Sequence, residues 1–196
     1  RRSTGRDDVE LLRAELSSRR GVHALADAVQ ARTDRLDVLV NNAGVTLLSR
    51  QTTEDGLEAT FATNHLAYYL LTGLLLPLLR ASGRARIVSV ASDAHRFGRL
   101  DLDDLQNERR YRAMRVYGQS KTANILWNAE LARRLEGSGV TANCLHPGGI
   151  RSNLGRGNGR FFDALHSVIA KLFLKSPEEG ARTSLYLAAA PEVEGI

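Results

Sequence analysis

A chain of 196 residues, 43% hydrophobic and 25% charged, is long enough for one domain with a sizeable core and has the balance of a soluble globular protein. The net charge of +5 is carried by arginine, and the arginines alternate with acids, as in Arg6-Asp7-Asp8 and Glu108-Arg109-Arg110, which argues against a nucleic-acid partner. The lone Cys144 cannot form an internal disulfide and no Cys/His cluster has metal-ligand spacing, so a reducing, cytoplasmic setting without a bound metal is expected.

No secretory signal opens the chain, which begins with polar residues and looks truncated. Val9, Leu11, Leu12 and Leu16 mark an amphipathic helix over about residues 7–18. Val22, Leu25, Ala26 and Val29 mark a second helix almost at once. Residues 36–40 then read as a short buried strand. An α/β alternation would put a strand between the two helices. Either they form an αα hairpin, or residues are missing near positions 18–21.

Asn41-Asn42-Ala43-Gly44 follows the strand, and small and amide residues there let a ligand approach the backbone. A helix is predicted over residues 54–80, capped by Thr52 or Thr53, with Asn64 a polar residue in its apolar middle. Its most hydrophobic part, residues 66–79, contains Pro77 and is short of the roughly 20 residues a membrane span needs. Residues 86–91 form the next strand, with Ser92 at its end. A charged connector carries a short helix at residues 102–106.

Tyr117-Gly118-Gln119-Ser120-Lys121 opens the following helix, which ends near Gly137 or Gly139. Residues four apart share one helix face. A free phenol titrates near pH ~10, and a neighbouring ammonium pulls that value down, so the pair can pass a proton to or from an alcohol or carbonyl oxygen. Residues 140–145 are a third strand, broken by His146-Pro147-Gly148-Gly149. Residues 151–160 read as loop and 161–174 as an amphipathic helix. Ser176-Pro177-Glu178-Glu179 starts the last helix, with Ala181, Leu185, Tyr186 and Leu187 as its buried stripe.

Three strands that each end in a small or polar motif suit an α/β fold, a Rossmann-like doubly wound parallel sheet flanked by helices, with ligands at the carboxyl edge. The set Asn41-Asn42-Ala43-Gly44, Asn64-His65-Leu66, residues 87–92 with His95, Tyr117-x-x-x-Lys121, Pro147-Gly148 and Ser176-Pro177-Glu178-Glu179-Gly180-Ala181 resembles the short-chain dehydrogenase/reductase family, in its retinol-dehydrogenase-like branch. The resemblance spans nearly the whole chain as a single NAD(P)-binding domain. It implies hydride transfer between an alcohol and a ketone or aldehyde, with NADP as the favoured cofactor and NAD possible.

In that resemblance Tyr117 is the acid/base, and Lys121 lowers its pKa and holds the nicotinamide ribose. Ser92 binds the substrate oxygen; Ser89 lies within the strand pattern and is not chosen. Asn64 orders a relay water. Asn41, Ala43 and Gly44 line the adenosine side, while Pro147, Gly148, Ile150 and Ser152 meet the nicotinamide end. Arg2 sits about where a basic residue would favour the 2′-phosphate of NADP. A homodimer is implied through the helices at 54–80 and at Tyr117, with Tyr68, Leu71, Leu75 and Trp127 as apolar contacts, Trp127 suiting the core better than the interface. Phe161, Phe162, Leu165, Val168 and Leu172 suggest an apolar small-molecule substrate.

One departure stands out: the family's glycine-rich turn for the pyrophosphate is not in this sequence. A catalytically silent cofactor-binding or scaffold homologue is therefore the competing reading. An epimerase using the same Tyr/Lys pair fits residues 41–44 and the 176–181 stretch less well.

Overall fold

The computed structural model describes residues 8–150 and 175–196. Arg2, Ser152 and the predicted loop and helix at 151–174 lie outside the described residues.

Three parallel strands, β1 (Val38–Asn41), β2 (Arg86–Val90) and β3 (Thr141–Leu145), pair in the order β1-β2-β3. The register aligns Asn41 with Ser89 and Ser89 with Cys144, so these side chains share one face of the sheet. The helices α3 (Ala67–Ser82) and α4 (Ala113–Leu135) carry the two crossovers. Their apolar residues Leu79 and Leu135 pack with Ile87, Val140 and Ala142 on that face. Val88, Val90 and Leu145 point the other way and meet Leu187 and Ala188 of α5 (Pro177–Ala189). Helix α1 (Arg19–Gln30) packs on α3 through a face that includes buried Val22 and Ala26. The result is the expected parallel sheet with helices on both faces.

Several expected elements differ. No helix forms over residues 8–15. Helix α1 begins at Arg19 because Ser18, in an extended conformation, accepts the Gly21 N–H as its N-cap. The Glu15 carboxylate accepts the Ser17 N–H ahead of it. Two abutting helices are thus replaced by an irregular segment, a turn and one capped helix, joined without an αα hairpin.

The helix predicted over 54–80 starts at Ala59 instead. Glu58 is fully buried, and its carboxylate accepts the N–H groups of Thr60 and Phe61 at 2.9 and 2.6 Å. After α2 (Ala59–Phe61) the chain widens into a π-helical turn, Ala62–Leu66, before α3. Gly83, at φ 74°, ends α3 in the left-handed conformation glycine adopts freely. The short helix expected at 102–106 is absent. The Asp104 side chain takes the N–H groups of Glu108 and Arg109, and such local bonds compete with helix.

In α5 the capping box of Ser176 and Glu179 forms as read from the sequence. The expected buried stripe forms only in part: Leu187 faces the sheet together with Ala188, whereas Leu185 and Tyr186 are exposed. No helix among the described residues is long and apolar enough to cross a membrane.

Candidate active site

The carboxyl ends of the three strands gather most of the predicted residues. At β1, buried Asn41 donates from Nδ2 to Thr72 Oγ1 of α3 at 3.0 Å. In the loop that follows, the Ala43 carbonyl accepts the Tyr68 hydroxyl at 2.7 Å. Gly44 and Val45 come next, and Val45 is clamped by Asn64, which accepts its N–H at 2.8 Å and donates to its carbonyl at 3.0 Å.

Asn64 sits in the π turn, and its amide donates a further bond to Ser120 Oγ at 3.1 Å. The Asn124 side chain inserts onto the Asn64 carbonyl at 2.9 Å, the kind of insertion that goes with a widened turn. The Asn64 side chain thus ties the loop after β1 to Ser120 of α4.

At the end of β2, Ser92 caps a 3₁₀ turn, Asp93–Phe97, by accepting the Ala94 N–H at 3.2 Å. Helix α4 lies against this turn with glycine on both sides. A Cβ on Gly118 would stand 2.4 Å from the Ala94 carbonyl oxygen, and one on Gly98 would stand 2.0 Å from the Gly118 carbonyl carbon. This approach brings Tyr117 close enough to the Ser92 side chain for that hydroxyl to favour the phenolate. Ser89 is fully buried within β2, as the strand pattern anticipates.

Lys121, one turn on, is buried and donates from Nζ to the Val90 carbonyl at 2.8 Å. Its ammonium stands 5.6 Å from the Tyr117 ring centroid and 5.8 Å from that of Tyr68. Burial lowers its pKa to about 8, and Cys144 pushes the other way. Burial raises the Tyr117 phenol, with the nearby Ser92 hydroxyl opposing it. The lowering of Tyr117 by its lysine, expected from the spacing, is not the dominant effect here. Removing a phenolate from water costs more than an ammonium alongside the ring returns.

At β3, Asp93 N–H donates to His146 Nδ1 at 3.2 Å, and His146 Nε2 lies 3.3 Å from the Asp93 carboxylate, which ties this strand end to the Ser92 turn. Pro147 follows, and Gly148 has a φ of 89° that suits glycine. Ile150 bridges to Lys175 and seats its side chain on Gly180 of α5.

Tyr68, Ser120 and Asn124 were not singled out for the site from the sequence. Tyr68 was expected at a dimer surface with Leu75, yet both are 2% exposed. Trp127 is half-buried, 6.3 Å from the rings of both His65 and Tyr69. Among the described residues a cavity of about 540 Å³ lies at the opposite end of the strands near Arg84, Val140 and Ile196 and carries none of this chemistry. No metal-binding cluster occurs among the described residues.

Residues 2–160 match the family model for short chain dehydrogenase. Retinol dehydrogenase 14 of Homo sapiens is 47% identical over 184 residues, which cover 93% of this chain and 55% of the relative. The chain thus spans about half the length of that curated relative. An uncharacterized protein from Mycobacterium Paratuberculosis has a crystal structure matching at a TM-score of 0.70 and 36% identity, over 92% of this chain and 59% of that one. A short chain dehydrogenase from Burkholderia cenocepacia J2315 in complex with NADP matches at a TM-score of 0.64 and 27% identity, over 94% of this chain and 71% of that one. With its sheet, its Tyr117/Lys121 helix and these relatives in agreement, the chain belongs to the short-chain dehydrogenase/reductase family, on the retinol-dehydrogenase-like branch.

Proposed function

We propose that the protein is an NAD(P)-dependent oxidoreductase that interconverts an alcohol with a ketone or aldehyde, acting on an apolar small molecule. The observation that carries this reading is the convergence of Tyr117, Ser92 and Lys121 at the ends of the strands. Tyr117 gives a proton to the carbonyl oxygen, or takes one from the alcohol, while Ser92 holds that oxygen by a hydrogen bond. Lys121 keeps two N–H groups beyond the one it spends on Val90, which fits the hydroxyls of a nicotinamide ribose. Asn64 holds Val45 of the loop after β1 against Ser120 of α4, and in this reading it orders the water of a proton relay.

The cofactor, when bound, supplies or accepts the hydride at its nicotinamide ring. Asn41, Ala43 and Gly44 would line its adenosine side, and Pro147, Gly148, Ile150 and Ser152 its nicotinamide end. NADP is the preferred form in this reading, with Arg2 on the 2′-phosphate, in keeping with the NADP held by the Burkholderia relative. Exposed Tyr69 and Leu126 on adjacent helices support a homodimer, which sedimentation at micromolar concentration tests. The lone Cys144 fits a reducing, cytoplasmic setting.

The test uses the full-length protein. Binding of NADPH and NADH is titrated, and turnover is followed with a panel of apolar alcohols, aldehydes and ketones. Tight binding with no turnover on any of them would favour the silent cofactor-binding homologue; no dinucleotide binding at all would refute both readings.

A further inference from the structure

A buried ammonium ordinarily needs a carboxylate. Lys121 is 2% exposed, yet no carboxylate among the described residues contributes to its titration. The groups that face it are the Val90 carbonyl from β2, Cys144 from β3, the Tyr117 ring from its own helix and the Tyr68 ring from α3. A cation within about 6 Å of an aromatic face is held by the ring quadrupole, and more strongly once water is excluded. Tyr117 and Tyr68 both meet that distance. The other end of Tyr68 reaches the Ala43 carbonyl at 2.7 Å, in the loop between β1 and Asn64. One side chain thus touches both the lysine and the loop that lies over the end of β1.

We propose that Tyr68 is a positioning residue for this site: its ring holds the Lys121 ammonium in its charged form, and its hydroxyl fixes the loop at Ala43 and Gly44. The assignment rests on the oxidoreductase reading for its relevance to catalysis, and it ties loop order to the charge of the lysine beside Tyr117.

Substitution separates the two ends. The Lys121 side-chain carbons can be followed by NMR titration of the full-length protein, with Lys121→Arg identifying the signal. Tyr68→Phe keeps the ring. The Lys121 midpoint should stay near 8, while amide hydrogen exchange at residues 43–45 quickens several-fold. Tyr68→Leu removes the ring, and loss of a contact that favours the ammonium should lower the midpoint by about one pH unit. Should that variant fail to fold, Tyr68→Met is read in the same way. A Lys121 midpoint unchanged or raised in the ring-less variant overturns the proposal. So does a Tyr68→Phe variant whose loop exchange matches the parent. Neither readout needs cofactor or turnover, so a protein that binds no dinucleotide refutes the oxidoreductase reading and leaves this one to be judged separately.

Discussion

Lys121 donates its ammonium to the Val90 carbonyl across 2.8 Å, fastening the middle of α4 to the last residue of β2. That bond holds the charge in place without paying back its burial, because the folded pKa is about 8 against an ordinary 10.5. Between those values the unfolded chain binds the extra proton, so stability should rise with pH from about 8. Cys144, raised by burial, opposes the trend above about pH 9, and Tyr117 and Tyr68, also raised, oppose it above pH 10. Denaturant unfolding should therefore show a gain of about 1 kcal/mol from pH 8 to 9 that Lys121→Met abolishes. A gain that persists in Lys121→Met would assign it to other groups.

Asn64 is fully buried, with its amide divided among Val45 N–H, the Val45 carbonyl and Ser120 Oγ. Asn64→Ala leaves the half-buried Val45 with an unpaired N–H and carbonyl. A loss of about 2–4 kcal/mol is expected in urea unfolding, the range for breaking a buried hydrogen-bond network. A cost below 1 kcal/mol would mean that the loop finds other partners.

Gly118 should tolerate no side chain. The atoms its Cβ would meet belong to the backbone at Ala94 and Gly98, and they cannot rotate away. Gly118→Ala should push the Ser92 turn off α4, lowering the melting temperature by several degrees and turnover at least about tenfold. An alanine variant with parental stability and turnover would show that the turn is free to move.

Tyr117→Phe removes one oxygen from a buried ring. Steady-state turnover should fall about 100- to 10,000-fold, the usual worth of a positioned acid or base, with thermal stability at least maintained. Turnover within threefold of the parent would take Tyr117 out of the proton transfer.

Much of this was legible because it depends on local periodicity. Tyr117 and Lys121 share a face in any α-helix, and strand alternation places Ser89 inside β2 and Ser92 beyond it. The capping box at Ser176 is equally local. Val9, Leu11, Leu12 and Leu16, in contrast, satisfy a helical count without forming a helix, since no buried face waits for them and Ser18 starts its own. The π turn at Ala62–Leu66 adds a residue to one helical turn, so counting by 3.6 through it assigns the wrong faces beyond it.

The sequence by itself determined the resemblance to the family, through its ordered motifs, and the parallel α/β sheet and the shared helix face of Tyr117 and Lys121, because these last follow from residue types at short spacings. Only the tertiary structure decided that Tyr68 turns inward between Ala43 and Lys121, that Asn64 spends its amide on Val45 and Ser120, and that burial sets the titration of Tyr117 and Lys121. Helix rotation, desolvation and contacts between residues as far apart as Asn64 and Ser120, 56 positions along the chain, are properties of the packed chain, and no local pattern encodes them.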